Sequence, residues 1–201
     1  MRILLATPLY PPDIAEPAPY VKEAAERLSK DHTVSILAYN HIPEEVTGVR
    51  TIAVEKNRPV FIRLYNYIRA LYLESKKVDI VYIQNGPSVE LPLIIISLLT
   101  HTPFVFRLGD ETALCHAVES WGHRILLSLA VRRARITITH EKSSDYILHL
   151  SSIFTANVID IPRPHNRPEI LPFEPYPHAA FSAYTTSWDD HIESLSKILS
   201  S

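Results

Sequence analysis

Two textures alternate along the chain. Short runs rich in Ile, Val, Leu and Tyr occupy Arg2 to Thr7, Thr33 to Tyr39, Val49 to Glu55, Asp79 to Gln84, Pro103 to Leu108 and Arg135 to Thr139. Each is bounded by Pro, Gly, Asn or Asp, the pattern of strands covered on both faces. Between most of them apolar residues recur at helical spacing: Val21, Ala24, Ala25 and Leu28; then Phe61, Leu64, Tyr65, Ile68, Leu71 and Tyr72; then Ile125, Leu126 and Leu129. Parallel strands need crossovers and helices supply them. The alternation therefore predicts an α/β fold, a single Rossmann-like, doubly wound, mostly parallel sheet with helices on both faces. Only the runs Thr33 to Tyr39 and Val49 to Glu55 lack a helical pattern between them. Asn40 to Gly48 joins these two, which fits a long loop or an antiparallel excursion.

After Val158 to Ile161 the texture changes. Six prolines fall between Pro162 and Pro177, too many for regular structure, and this stretch reads as an extended connector. A helical stripe then runs through Phe181, Tyr184, Trp188, Ile192, Leu195 and Leu199 from a start near Pro177-His178, apolar enough to pack back on the domain. The expected organisation is a Rossmann-like domain over 1–161, a connector over 162–177 and a closing helix within 178–201. No internal repeat is visible.

With 201 residues there is room for one full hydrophobic core, not for a two-domain catalyst. A net charge of −2 offers no field for a polyanion, so nucleic acid is not an expected partner. One cysteine, Cys115, cannot form an internal disulfide and fits a reducing, cytoplasmic setting. Met1-Arg2 running straight into Ile3-Leu4-Leu5-Ala6 resembles a buried first strand more than a signal peptide. The longest apolar run, Leu91 to Leu99, is interrupted by Pro92 and Ser97 and is about half the length that spans a bilayer. Ten histidines without HxH or HExxH spacing, and four glycines without GxGxxG or GxxxxGK[ST], give no metal site and no phosphate-cradling loop, so no cofactor is expected.

The opening Met1 to Pro12 contains Thr7-Pro8-Leu9-Tyr10-Pro11-Pro12, followed by Pro19-Tyr20-Val21 and a helix through Ala25-Glu26-Arg27-Leu28. With Thr33 to Leu37 as a second strand, Asp79 to Asn85 as a central one and Arg135 to Thr139 as a later one, it is similar to the start of family 4 glycosyltransferases, over about residues 1–161. The resemblance implies a GT-B architecture, two Rossmann-like domains around a cleft, with this chain as the N-terminal, acceptor-side domain. The donor-binding half has no counterpart here. Where the family has a Gly-Gly pair in the first loop, this chain has Asp13-Ile14-Ala15-Glu16-Pro17. Where a histidine often follows the fifth strand, it has Arg107-Leu108-Gly109-Asp110-Glu111.

In an open parallel sheet, ligands sit beyond the carboxyl ends of the strands, which places the candidates in the loops that follow them. For acceptor binding these are Tyr10, Glu16, Tyr20, Asn85, Gly86, Ser88, Arg107 and Gly109. For catalysis they are Asp110 and Glu111, as hydrogen-bond acceptors or base, and His140, as a proton shuttle. Plainer roles compete. Asp110 and Glu111 suit a helix N-terminus, Gly86-Pro87 a turn, and Ser88 a cap. The helix from Arg58 to Lys77 sets Arg58, Arg63, Arg69, Lys76 and Lys77 beside Phe61, Tyr65, Tyr67 and Tyr72, which fits a sheet-covering helix with a solvated cationic side or a peripheral membrane contact through 58–77. The function expected from the resemblance is an acceptor-side domain for sugar or glycolipid, inactive alone and completed by a separately encoded donor-binding subunit or by homo-oligomerisation. The competing class is a non-catalytic domain that binds carbohydrate or protein.

Overall fold

A computed structural model describes residues 1–15, 17–139, 158–162, 164 and 186–201, with the Glu111 side chain left out. The strands are β1 (Arg2–Thr7), β2 (Thr33–Tyr39), β3 (Arg50–Val54), β4 (Ile80–Gln84), β5 (Phe104–Arg107), β6 (Ile136–Thr139) and β7 (Val158–Asp160). The helices are α1 (Ala18–Leu28), α2 (Val60–Ser75), α3 (Pro87–Ser97), α4 (Glu111–Glu119), α5 (Trp121–Arg133) and α6 (Trp188–Ser200). Among the described residues the strands form one sheet in the order β3-β2-β1-β4-β5-β6-β7, and every pairing is parallel.

The Rossmann-like doubly wound sheet is thus what the alternation predicts. The six apolar runs become β1 to β6, and the short, exposed β7 is an added edge strand that the sequence pattern did not reveal. The excursion between β2 and β3 is not antiparallel: Ile36 lies beside Thr51 and Ala38 beside Ala53 in parallel register. The connecting loop makes the crossover itself, with Val46 buried. Asn40 fastens this loop, its Nδ2 donating to the Tyr10 and Pro11 carbonyls at 2.9 Å each.

Strand alternation divides the core into two layers. Leu4, Ala6, Val81, Ile83 and Phe106 face α2, α3, α4 and α5. Ile3, Leu5, Tyr82 and Val105 face α1 and α6. Each Leu, Ile, Val or Phe among them is worth about 1.5–3 kcal/mol of burial, so both helical layers are held by the same strands.

Two helices turn differently from the predicted stripe. In α2, Phe61 and Tyr65 are exposed, and Tyr67 and Leu71 point inward with Leu64 and Ile68 half-buried. This helix is apolar nearly all round. The Tyr67 ring stacks on Tyr39 at 4.3 Å between centroids, and its hydroxyl lies 3.4 Å from the Thr7 and Leu37 carbonyls, which fixes the rotation. In α5 the inward residues are Leu127, Ala130 and Val131, and Ile125 and Leu129 are exposed.

Pro92 does not end α3, although a proline inside a helix removes one N–H bond to the carbonyl four residues back. Here that carbonyl is Ser88 O, and the Tyr39 hydroxyl donates to it at 3.0 Å. The closing helix begins at Trp188, later than the expected start near 178, because Ser187 caps it: the Ser187 hydroxyl accepts the Asp190 N–H at 3.1 Å. Trp188, His191, Leu195 and Leu199 are buried against the α1 side of the sheet. Phe181, Tyr184 and nearly all of the proline-rich stretch lie outside the described residues.

Candidate functional site

Chain order reverses between β1 and β4: from β1 the chain steps out to β2 and β3, then returns across the sheet to β4. At such a point the loops beyond the strand ends part and leave a crevice. In this protein it is a cavity of about 290 Å³. Pro8 and Leu9 follow β1, Gly86 and Ser88 follow β4, and Asp110 follows β5. Tyr39, Lys56, Arg63 and His116 complete the wall.

The floor is latched by Asn85, which is fully buried. Its Oδ1 accepts the N–H groups of Gly109 (2.9 Å) and Asp110 (2.7 Å), and its Nδ2 donates to the Asp110 carbonyl (2.9 Å). One side chain thereby joins the loops after β4 and β5. Gly86 beside it has φ 151, in the region that favours glycine, and a Cβ there would stand 3.0 Å from Pro8 Cγ. Glu90 of α3 accepts the Gly86 N–H at 3.1 Å. Burial, aided by the charge of Asp110 and opposed by the Gly86 N–H, pushes the Glu90 carboxyl up to about 7.

Asp110 caps α4, its Oδ1 accepting the N–H groups of Thr112 (3.0 Å) and Ala113 (3.2 Å). Asp110 also lines the crevice, so the cap and the crevice wall share one residue. Across from it are two cations. Lys56 Nζ is held by Asp13 at 2.8 and 3.0 Å, and Arg63 donates to the Lys56 carbonyl at 3.1 Å while lying 5.5 Å from the Tyr39 ring centroid. The arrangement offers an aromatic and prolyl surface for a ring, a carboxylate that can accept from hydroxyls, and cations that suit a ligand with negative charge.

A second cluster lies on the opposite layer, under α1 and α6. The Pro162 carbonyl can only accept, so His191 Nδ1 donates to it (2.9 Å) and Nε2 is left to accept from the Tyr20 hydroxyl (2.8 Å). The Tyr20 oxygen in turn accepts from Tyr82 at 3.0 Å. Arg107 stacks on Tyr20, 3.6 Å from the ring centroid, and donates to Gln84 Oε1 at 2.9 Å. A Cβ at Gly109 would sit 2.0 Å from Arg107 Nη1, so any larger residue there must push this guanidinium from its place.

Of the residues singled out from the sequence, Gly86, Ser88 and Asp110 therefore meet in the crevice, with Asn85 beneath them. Tyr20 and Arg107 meet in the second cluster, against Gly109. Tyr10 is fully buried, its hydroxyl pushed up to about 12 by burial and the charges of Glu26 and Glu44. Glu16 and His140 lie outside the described residues, and Glu111 is described only as the first residue of α4. Tyr39, Lys56, Arg63 and His116 were not singled out as site residues. Their approach depends on three separate crossovers, and only the basic character of Arg63 was visible in advance. Among the described residues no three His, Cys, Asp or Glu side chains are grouped to hold a metal ion.

No family model matches the sequence, and no curated protein matches it. Solved structures do share the fold. Anabaena HepE in complex with UDP and glucose superimposes with a TM-score of 0.55 at 18% identity, over 82% of this chain and 45% of HepE. Sucrose-phosphate synthase from Thermosynechococcus elongatus gives 0.64 at 13% identity, over 83% of this chain and 49% of the enzyme. A second structure of it is matched over 91% of its length with a TM-score of 0.59 at 12% identity. A Listeria monocytogenes protein described as a putative UDP-N-acetylglucosamine 2-epimerase gives 0.51 at 10% identity. The chain thus spans less than half the length of HepE, and what it shares with these proteins is the Rossmann-like α/β fold.

Proposed function

We propose that this chain is the acceptor-side half of a GT-B glycosyltransferase of family 4 type, and that it transfers sugar only together with a donor-binding partner domain. One observation carries the reading. The fold match takes in more than four-fifths of this chain but less than half of HepE, and α6 follows β7 after only the stretch 161–187. A donor-binding Rossmann domain needs on the order of 100 residues or more, so none fits between these two elements.

In this reading the crevice holds the acceptor. Asp110 accepts from its hydroxyls, Tyr39 and Pro8 flank it, and Lys56 and Arg63 favour an anionic group on it. Glu111, first residue of α4, and His140, next in sequence after β6, stand as further acid–base candidates, and Glu16, Tyr10 and Tyr20 belong to the sequence that follows β1. The partner is a separately encoded subunit or a second copy of the chain, and the donor is a nucleotide sugar of the UDP class. The test is a UDP-release assay with UDP-glucose and monosaccharide or glycolipid acceptors. The purified chain alone is expected to be silent, and a protein carrying the donor-binding domain is expected to start turnover. Turnover by the isolated chain at the same rate refutes the split arrangement, and thermal stabilisation by UDP alone would favour a nucleotide-binding enzyme instead.

A further inference from the structure

Helix α3 is apolar nearly all round. Its one charged residue is Glu90, and that carboxyl is buried beside Gly86. Leu91, Ile94 and Ile95 of the same helix are only half-buried, and Leu98 and Leu99, just past its end, are each 61% exposed. A helix with apolar residues on every side is one that a folded protein covers, and these 11 residues are too few to span a bilayer. The neighbouring α5 continues the surface. Trp121, 78% exposed, is followed at four-residue spacing by Ile125 and Leu129, also exposed. Isolated exposed apolar residues are ordinary, but such a strip over two adjoining helices marks an interaction face.

The charges beside this strip identify its partner. Helix α5 contains no carboxylate and exposes Arg124, Arg132 and Arg133. Arg124 turns back to donate to the Val118 carbonyl, so the outward positive charge gathers at the carboxyl end of α5. At the other end stands Glu119, the last residue of α4, with its side chain 76% exposed. Asp79, at the start of β4, is already paired with Arg2 at 2.5 Å. The strip along α5 is thus acidic at one end and basic at the other, and such a surface complements itself when a second copy meets it head to tail.

We propose that the α3–α5 face is a homodimer interface in which α5 packs antiparallel against α5 of a second copy. With the two-fold axis at Ile125, Trp121 of each copy lies over Leu129 of the other, four residues to either side of the axis. Glu119 of each copy then comes beside Arg133 of the other, which makes two equivalent ion pairs at the rim. Two helices about 16–20 Å long and about 10 Å apart give roughly 400 Å² of face per copy, about 800 Å² in the pair before side-chain relief is counted, which suits a weak, reversible dimer. The pairing rests on no part of the acceptor reading and is measured without any sugar.

The experiment is sedimentation velocity of the full chain from micromolar to millimolar concentration, where a monomer–dimer equilibrium is expected. Trp121→Ser and Ile125→Ser should each raise the dissociation constant at least about tenfold, and Lys30→Ser on the α1 side should leave it unchanged. Glu119→Lys alone, or Arg133→Glu alone, sets like charges opposite each other and should raise it about fivefold, more at low salt. An equal mixture of these two variants restores opposite charges at both rim pairs and should dimerise about as well as the wild type. The two positions lie at opposite ends of α5, about 20 Å apart, so this recovery cannot arise within one chain. All of these side chains are at the surface, and thermal melts verify that the variants fold. A dimer that Trp121→Ser leaves intact, or a mixture no more dimeric than its components, overturns the proposal. So does a chain that stays monomeric at every concentration, since the face would then belong to lipid or to a different protein.

Discussion

Replacing His191 by glutamine isolates one titration from all others in the molecule. His191 is 2% exposed, and burial first, then the charge of Arg107, hold its imidazole down to about 4 against the opposing bond to Pro162. In the unfolded chain the same group titrates near 6.5. Between those values the unfolded state binds a proton that the folded state refuses. Its contribution to stability is therefore complete above pH 6.5 and is lost as pH falls towards 4. At about 1.4 kcal/mol per unit, a depression from 6.5 to about 4 amounts to about 3 kcal/mol. Urea unfolding followed by Trp188 fluorescence at a series of pH values reads this directly. Glutamine can still accept from Tyr20 and donate to Pro162 but carries no titrating group. The stability of wild type relative to the variant should therefore fall by about 3 kcal/mol on acidification, since only the wild type has this histidine to protonate. The nine other histidines are present in both proteins and cancel in the difference. A gap that stays constant with pH would refute the neutral, buried assignment of His191.

Three further substitutions test the crevice. Gly86→Ala should cost about 1–3 kcal/mol in chemical unfolding, since the new Cβ must hold φ 151 and press on Pro8 Cγ at 3.0 Å. Tyr39→Phe should cost about 1 kcal/mol by stranding the Ser88 carbonyl, and much less in a Pro92→Ala background, where an amide N–H can take over; equal costs in both backgrounds would contradict the compensation. Asp110→Ala removes the α4 cap and should cost about 0.5–2 kcal/mol, with Asp110→Asn recovering most of the loss in a thermal melt.

What the sequence made legible was set by periodicity. The apolar runs of β1, β2 and β4 are almost entirely buried, so each appears as a continuous hydrophobic stretch with clear ends. The three-residue, exposed β7 has no such signature, because pairing with β6 alone makes it a strand. The rotation of α2 was not legible for the opposite reason: with apolar residues nearly all round, the choice among stripes fell to Tyr67 stacking on Tyr39 of another element. The crevice was legible as a place, since loops after parallel strands converge at the switch point. Its chemistry was only partly so. Gly86 and Ser88 announce themselves as turn residues and Asp110 as a helix cap, whereas Tyr39 at the end of β2 and His116 on α4 carry no local signal of a site.

Glu90 and His191 lie in opposite layers and titrate with opposite sign, which makes the pH profile of the whole protein a test of both. Burial raises Glu90 from 4.5 to about 7, so the folded chain binds a proton there that the unfolded chain has released. The contribution of that group is fully present below pH 4.5 and is lost as pH rises through 7. Its size, again at about 1.4 kcal/mol per unit, is about 3 kcal/mol, matching His191 but reversed. Over the shared window from 4.5 to 6.5 the two slopes oppose each other, and these groups leave the wild-type profile nearly flat. Glu90→Gln, which can still accept the Gly86 N–H, should unmask stability that rises with pH. His191→Gln should unmask stability that falls with pH, and the double variant should be flat again, because the sites share no partner and their effects add. Four unfolding series decide it. Parallel slopes in all four proteins would mean that neither group is held away from its ordinary titration, and that the crevice floor under Gly86 is open to water.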